Sequence, residues 1–263
     1  MKKVISFTLI TVALLFIYAP ILLLFVYSFT PAKTIGVWEG FSTELYAQLF
    51  KEPKLRTMLV DTVLLALVSS SVSTVLGTLG AIGIFYNKKK LGIITRSVSQ
   101  IPVINAEIVT AISLTLFFSL IKVGKSYVAL LVGHVVLSAP FVVLSVIPKL
   151  QQMDPSLYEA ALDLGATPFK ALIKVVFPEI MSGIISGFLL AVTLSLDDYM
   201  ITAYTKPAEF ETISTYVFGA IKKPRNSFLP ALRALSSLIF LIMVVAAAVM
   251  NIKISYDNKK RTY

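Results

Sequence analysis

Glu159–Pro178 reads EAALDLGATPFKALIKVVFP, a polar, helix-compatible stretch set between two long apolar blocks. Just before it, Asp154-Pro155 has the form of a helix start, with Asp154 as N-cap and Pro155 at a first helical position where its missing donor costs nothing. Leu157, Ala160, Ala161 and Leu164 then recur at i, i+3, i+4 and i+7, which gives one apolar face. Gly165 is expected to end that helix, because glycine takes the left-handed cap without a Cβ clash. Thr167-Pro168 starts a second helix, with Phe169, Leu172, Ile173 and Val176 expected on its buried side and Pro178 at the entry to the next apolar block. The expected product is a compact knob of two short helices at the membrane surface. Ala160 and Ala161 keep its relief low enough for another backbone to approach, and Glu159 adds one anionic contact. An interfacial amphipathic hairpin with no partner is the alternative.

The blocks on either side fix the class. The chain is 57% hydrophobic and 14% charged, beyond what a soluble domain carries. Crossing about 30 Å of hydrocarbon takes roughly 20 helical residues, and an open sheet edge does not survive in lipid. Six blocks qualify: Val4–Phe29, Thr62–Asn87, Ser97–Ile121, Ser126–Pro148, Ile180–Thr205 and Ala234–Ile252. The expected fold is therefore an all-α membrane protein of six spans. Residues 1–29 form a peripheral first helix, 58–252 the core with the 149–178 loop inside it, and 253–263 a basic tail. The first block follows Lys2 and Lys3 as a signal peptide would, but its apolar run is too long for one, so it is read as a retained span. An even number of spans puts both termini on one side. The compact Lys88–Lys90 and Lys259–Arg261 clusters, close to span ends, favour the cytoplasm.

Several function classes drop out. The net charge of +10 is read as contact with anionic lipid, since no soluble basic face is offered to nucleic acid. There is no cysteine and a single histidine, so thiolate chemistry, disulfides and clustered Cys or His metal sites are excluded. Ser119–Ser126, SLIKVGKS, is one glycine short of a phosphate loop and lies in a hairpin between apolar blocks, not between a strand and a helix. The chain is expected to bind no cofactor and perform no covalent chemistry. His134 lies mid-block, as a proton relay or as the ordinary partner of a neighbouring helix.

Carboxylates inside apolar blocks are expensive and face water, a cation or a partner. Asp197 and Asp198 lie at the far end of the fifth block, Asp197 being 18 residues from Glu179, or roughly 27 Å at ~1.5 Å per residue. Adjacent carboxylates with Tyr199 and Tyr204 nearby suit a flexible diammonium by charge pairing and cation–π contact. Pairing with a cation such as Arg233 is the equal alternative. Glu107 is expected about two turns into the third span from the cytoplasmic side, as the partner of an interhelical hydrogen bond or as path lining, and Asp61 at the outer start of the second, where it lines a path or caps the helix. Gly77, Gly80, Gly83, Gly183 and Gly187 form small-residue faces for helix packing.

Glu159-Ala160-Ala161, Gly165 and Val175-Val176-Phe177-Pro178 resemble, at full spacing, the EAA loop of ABC-importer permeases, EAA-x3-G-x9-I-x-L-P. Val175 and Phe177 are apolar for apolar replacements within it. The resemblance implies a type I importer fold in which Glu159, Ala160, Ala161, Gly165 and Pro178 belong to a coupling loop seated on a cytoplasmic ATPase. Tyr18–Phe29 (YAPILLLFVYSF), Phe41–Phe50 (FSTELYAQLF) and Thr193–Thr205 (TLSLDDYMITAYT) further resemble the spermidine/putrescine permeases, the second of their pair. Lys206-Pro207 departs from that family, where a glycine is usual. The implied partners are two ATPase copies holding ATP and magnesium, a second homologous permease and an extracytoplasmic binding protein, all at the cell membrane. Another importer of this type, for ferric ion, thiamine or phosphonate, would share the EAA loop. A self-contained secondary transporter would need an inverted repeat, and none is clear.

Overall fold

The computed structural model describes residues 2–32, 36–87, 89–221 and 229–261, and every regular element among them is helical. In chain order these are α1 (Lys2–Tyr27), α2 (Glu44–Lys51), α3 (Pro53–Tyr86), α4 (Lys89–Ser99), α5 (Ile101–Ile104), α6 (Glu107–Leu120) and α7 (Tyr127–Gln152), followed by α8 (Ser156–Asp163) and α9 (Pro168–Ala171). A π turn, Leu172–Val176, joins α9 to α10 (Phe177–Asp197), and α11 (Met200–Thr205), α12 (Ile213–Ile221) and α13 (Leu229–Arg261) complete the chain. Residues 222–228, part of the last expected outer loop, lie outside the described residues.

Four single helices are long and apolar enough to cross a bilayer, Phe7–Tyr27, Pro53–Tyr86, Tyr127–Gln152 and Pro168–Asp197, and a fifth crossing follows if the bent pair Ile94–Ile104 and Glu107–Leu120 is one span. The protein is thus a multi-pass membrane protein. The third apolar block is not the single straight helix expected: its halves meet at 104°. Pro102 in the first turn of α5 and the extended backbone of Asn105 and Ala106 explain the bend, and the Asn105 amide donates to Thr110 Oγ1 at 3.2 Å across it. The sixth expected span falls in α13, whose described apolar stretch is Pro230–Ile242. That helix runs on through Arg261, so the basic tail continues it.

The chain divides into two compact units, Met1–Leu59 with Val217–Ala246, and Val60–Tyr216 with Ala247–Tyr263. In the first, Phe29 stacks on Phe41 at 5.4 Å and meets Phe25 and Tyr46, while Ser28 Oγ shares a 2.7 Å hydrogen bond with Tyr46. Leu45 and Leu49 bury one side of α2. The Arg233 guanidinium donates to the Ala32 carbonyl. This places the cation named as an alternative partner for the acidic pair on a backbone oxygen.

The core of the second unit is α7 held between α3 and α10. Val142, Val143, Val146, Ile147 and Leu150 of α7 are buried against Ala81 and Ile82 of α3, Val176 of the π turn and Ile180 of α10. Gly77 is what lets α3 approach: a Cβ there would lie 2.6 Å from Val142 Cβ and 2.9 Å from the Ala139 carbonyl. Gly183 and Gly187 bring α10 against Lys149 and Val142 from the other side. Of the small-residue face on α3, only Gly77 is in such tight contact, since a Cβ at Gly83 meets nothing within 4 Å. Gly77→Ala is therefore expected to force the helices apart and destabilise by about 1–3 kcal/mol. Gly83→Ala should be neutral or slightly stabilising through its better helix propensity. Thermal melting of the two purified variants in one detergent checks the contrast.

The Glu159–Pro178 region partly follows its sequence expectation. Ser156 N–H donates to Asp154 Oδ1 at 2.9 Å, which holds the Asp154 carboxyl below the ordinary aspartate range, and α8 begins just after Pro155. Gly165 takes φ +83° and ends α8, and Thr167 Oγ1 accepts from Lys170 N–H as the next N-cap. The second helix, however, is not short. It continues through Pro178 into α10 as one helix, Pro168–Asp197. The π turn just ahead widens the helix where the proline ring must fit and its donor is missing, so Pro178 does not mark a break. Phe169 and Ile173, expected to be buried, are 71% and 48% exposed, while Val176 is buried as expected.

Candidate functional site

Two helix breaks lie side by side in the second unit. The first is the bend before α6. The second is at Asp198, where the backbone leaves the α10 helix before α11 begins. Ala111 and Leu137 pack on Ile201, and farther along Thr115 Oγ1 donates to the Tyr204 carbonyl at 3.2 Å. Since 111 to 115 and 201 to 204 advance together, α6 and α11 run parallel. Their starting ends, and with them Glu107 and the Asp197-Asp198 pair, share one region.

Glu107 opens α6 at the end of that helix that lies beside the break at Asp198. This corrects the sequence expectation, which placed Glu107 toward the cytoplasmic end and the pair at the outer end. The bend before α6 is the reason: Glu107 is not two turns into a straight span but in the first turn of a new helix, where the helix dipole favours a carboxylate. Glu107 and Asp197 are both exposed.

Asp198 behaves differently from its neighbour. It is only 4% exposed, and its carboxylate accepts from Ile201 N–H at 3.1 Å, Thr202 N–H at 2.8 Å and Thr202 Oγ1 at 2.7 Å. Ser214 Oγ donates to its carbonyl at 2.8 Å. Asp198 thus caps α11 and closes the break, and the outward carboxylate of the pair is Asp197. Tyr199 and Tyr204 are half-buried, Tyr204 against the Ala111 and Ile201 cluster. Asp61 lies inside α3, which already starts at Pro53, so of the two roles expected for it the helix cap does not apply. The polar turn Lys54–Arg56 extends the helix beyond its apolar part. One residue after Asp61, Thr62 Oγ1 accepts from Ile213 N–H at 3.0 Å.

A buried polar network stands behind the acidic pair, and sequence reasoning did not assemble it. His134 is fully buried, with Nε2 3.0 Å from Thr202 Oγ1 and 3.5 Å from Asp198 Oδ2, and Nδ1 2.7 Å from Ser195 Oγ. Thr202 gives its only hydroxyl proton to Asp198, so its oxygen accepts from His134 Nε2–H; this assigns the tautomer from the network. Nδ1 then accepts from Ser195, which lies 3.0 Å from Ser69 Oγ of α3. Ser138 donates to the His134 carbonyl at 2.7 Å and shares a 2.7 Å bond with Ser73. The only trace of this in the sequence was serine, threonine and histidine recurring in otherwise apolar blocks. The near-miss phosphate loop is a turn between α6 and α7, where Ser126 Oγ caps α7 by accepting from Ala129 N–H. Among the described residues no group of His, Asp and Glu is arranged to hold a metal ion.

A helical membrane bundle broken at two adjoining points, with carboxylates at both, has the form of a solute-translocating subunit, and its fold is that of ABC-importer membrane subunits. A bacterial ABC transporter involved in the import of the acidic polysaccharide alginate superimposes with a TM-score of 0.72 at 15% identity, covering 95% of each chain. The MetNI methionine ABC transporter superimposes at 0.61 and 19% identity, covering 80% of this chain and 98% of that one. The chain belongs to the family of binding-protein-dependent transport system inner membrane components, whose family model matches residues 73–256. It is 31% identical over 235 residues to the putrescine transport system permease protein PotI of Escherichia coli K12, covering 85% of this chain and 81% of the relative. It is 28% identical over 232 residues to the spermidine/putrescine transport system permease protein PotC of the same strain, covering 88% of both. It is a transport subunit, not an enzyme.

Proposed function

We propose that this permease conducts polyamines, putrescine or spermidine, through an ABC importer, and that Asp197 and Glu107 meet the cargo. The observation that carries the cargo class is that the exposed carboxylates of Glu107 and Asp197 stand at adjoining helix breaks. A polyamine is a flexible chain with ammonium groups spaced along it, so separate carboxylates with aromatic rings beside them match it better than they match an anion. The names of the two permease relatives point the same way. Asp61, on the outer part of α3, is a secondary candidate for the path, and Tyr199 and Tyr204 supply the rings.

Energy comes from outside the chain. In this reading α8 seats on a cytoplasmic ABC ATPase, present in two copies and holding ATP and magnesium, with both chain termini on the same side. A second homologous permease completes the path and an extracytoplasmic binding protein delivers the cargo. The support is the exposed face of the loop: Leu157 is 41% exposed, Leu164 89% and Phe169 71%, with Glu159 and Ala160 also at the surface. From that face a mechanical route leads inward. Tyr158 packs on Tyr86 of α3 with ring centroids 5.2 Å apart and on the α7 and α10 core, so movement of α8 is passed to the helices that surround the breaks.

Uptake of radiolabelled putrescine and spermidine into cells carrying wild type, Asp197→Asn or no copy of this chain tests the cargo. Deletion should abolish uptake of at least one polyamine. Asp197→Asn should raise KM about tenfold, the loss of one charge-assisted contact. Polyamine uptake undisturbed by the deletion would overturn the substrate class and leave the importer to be tested with other solutes.

A further inference from the structure

We infer that His134 is a positioning residue for cargo recognition, acting as a clamp that holds the two halves of the broken α10–α11 helix at the angle that presents Asp197. The inference rests on the polyamine reading above. Asp197 is the last residue of α10 and the break itself is Asp198 and Tyr199, and a single imidazole reaches across it. Its Nδ1 holds Ser195, in the last turn of α10, while its Nε2 holds Thr202 and Asp198 at the start of α11. The clamp itself cannot drift, because its carbonyl is held by Ser138 and the network is tied to α3 through Ser69 and Ser73. Steric contact fixes the same point: a Cβ on Gly133 would lie 2.5 Å from Ile201 Cγ2, so α11 rests directly against the backbone of α7 beside the imidazole.

Position then follows from the chain. Asp197 lies between the two clamped sites, two residues after Ser195 and five before Thr202, and is the exposed member of the pair. With both flanks held, its carboxylate has little freedom to move relative to Glu107, whose helix packs along α11. A polyamine with fixed spacing between ammonium groups would bind less well if that separation fluctuated, because the entropy of ordering the site would fall on the binding step. His134 itself is fully buried and does not touch cargo.

The test measures putrescine and spermidine uptake kinetics for His134→Leu, His134→Gln, Asp197→Asn and the double variant His134→Leu/Asp197→Asn, with membrane levels of the assembled importer measured alongside. His134→Leu is expected to raise KM about tenfold with Vmax per assembled importer within about twofold, and His134→Gln, which keeps a donor and an acceptor, to recover most of the KM. In the Asp197→Asn background the histidine substitution should add almost nothing, because both changes remove the same contact. A KM unchanged by His134→Leu, with Vmax falling only as importer level falls, would show a purely structural histidine and overturn the inference. Full additivity in the double variant would overturn it equally. If His134→Leu fails to assemble, Ser195→Ala and Thr202→Val each release one side of the clamp and should raise KM, and an unchanged KM in both counts against it. Uptake of both polyamines that survives deletion of the chain would instead overturn the cargo reading on which the inference stands.

Discussion

Glu159→Arg should abolish polyamine uptake and release the ATPase while leaving the permease itself folded. Glu159 is exposed in the first turn of α8, among exposed apolar side chains that have no cover from their own chain. In the proposed complex that carboxylate meets a cation of the ATPase at a surface from which water is excluded. Reversing its sign there replaces an attraction with a repulsion, a change of about 3 kcal/mol or more, which is at least roughly 100-fold in affinity. The permease should not notice, because at an exposed position the substitution touches none of the core contacts. Co-purification of the ATPase and uptake should therefore fall together, with the melting temperature of the isolated permease unchanged. Glu159→Gln, neutral and of the same shape, should fall between. Full co-purification of the ATPase with the arginine variant would remove Glu159 from the interface.

Asp198→Leu should produce the opposite pattern, a loss of the folded protein itself. Its carboxylate accepts from three donors on α11, two of them backbone N–H groups that have no other acceptor in the first turn of a helix. Leucine leaves them unpaired in a site with no access to water and leaves His134 Nε2 with Thr202 alone. A cost of about 3–5 kcal/mol follows, as for other buried charge networks broken from one side. At roughly 2–4 °C per kcal/mol for a protein of this size, the melting temperature should drop on the order of 10 °C. Asp198→Asn retains one acceptor oxygen but turns an amide N–H₂ toward donors, so its loss should be smaller yet clear. Asp197→Leu, one residue away and exposed, should leave melting nearly unchanged. Equal melting of the Asp198→Leu variant and wild type would mean that the cap contributes nothing.

What the sequence made legible was what is decided locally. The N-cap at Thr167 and the left-handed turn at Gly165 are set by two or three adjacent residues, and both are found where the residue types place them. The long apolar blocks were readable too, and the family to which the sequence resemblance pointed is the one that the family model matches. The break at Asn105 and Ala106 was hidden because hydrophobicity continues across it, and a hydrophobic count is blind to direction. The opposite error occurred at Pro178, where a residue that normally ends helices sits in one that the π turn lets pass. Helical periodicity gave Phe169 and Ile173 an apolar side correctly but could not say whose surface would cover it. The role of His134 lies in partners 61 and 68 residues away, a closeness that only the folded bundle creates. The acidic pair looked like one feature in the sequence, yet successive residues at a helix end point in different directions, and one became a cap while the other stayed exposed.

The uninterrupted run from Pro168 to Asp197 has a mechanical meaning. Thirty residues of helix form a rod about 45 Å long, at ~1.5 Å per residue, with one end beside the proposed ATPase contact and the other at the acidic pair. With its near end held, a tilt of ~10° swings the far end by about 8 Å, more than the width of a putrescine chain. Beyond the single π turn near the base, Leu172–Val176, the helix is regular up to Asp197, so a stroke is carried along it without a further joint. The helix that follows the loop would thus be a lever that moves the carboxylate, working beside the route through Tyr158.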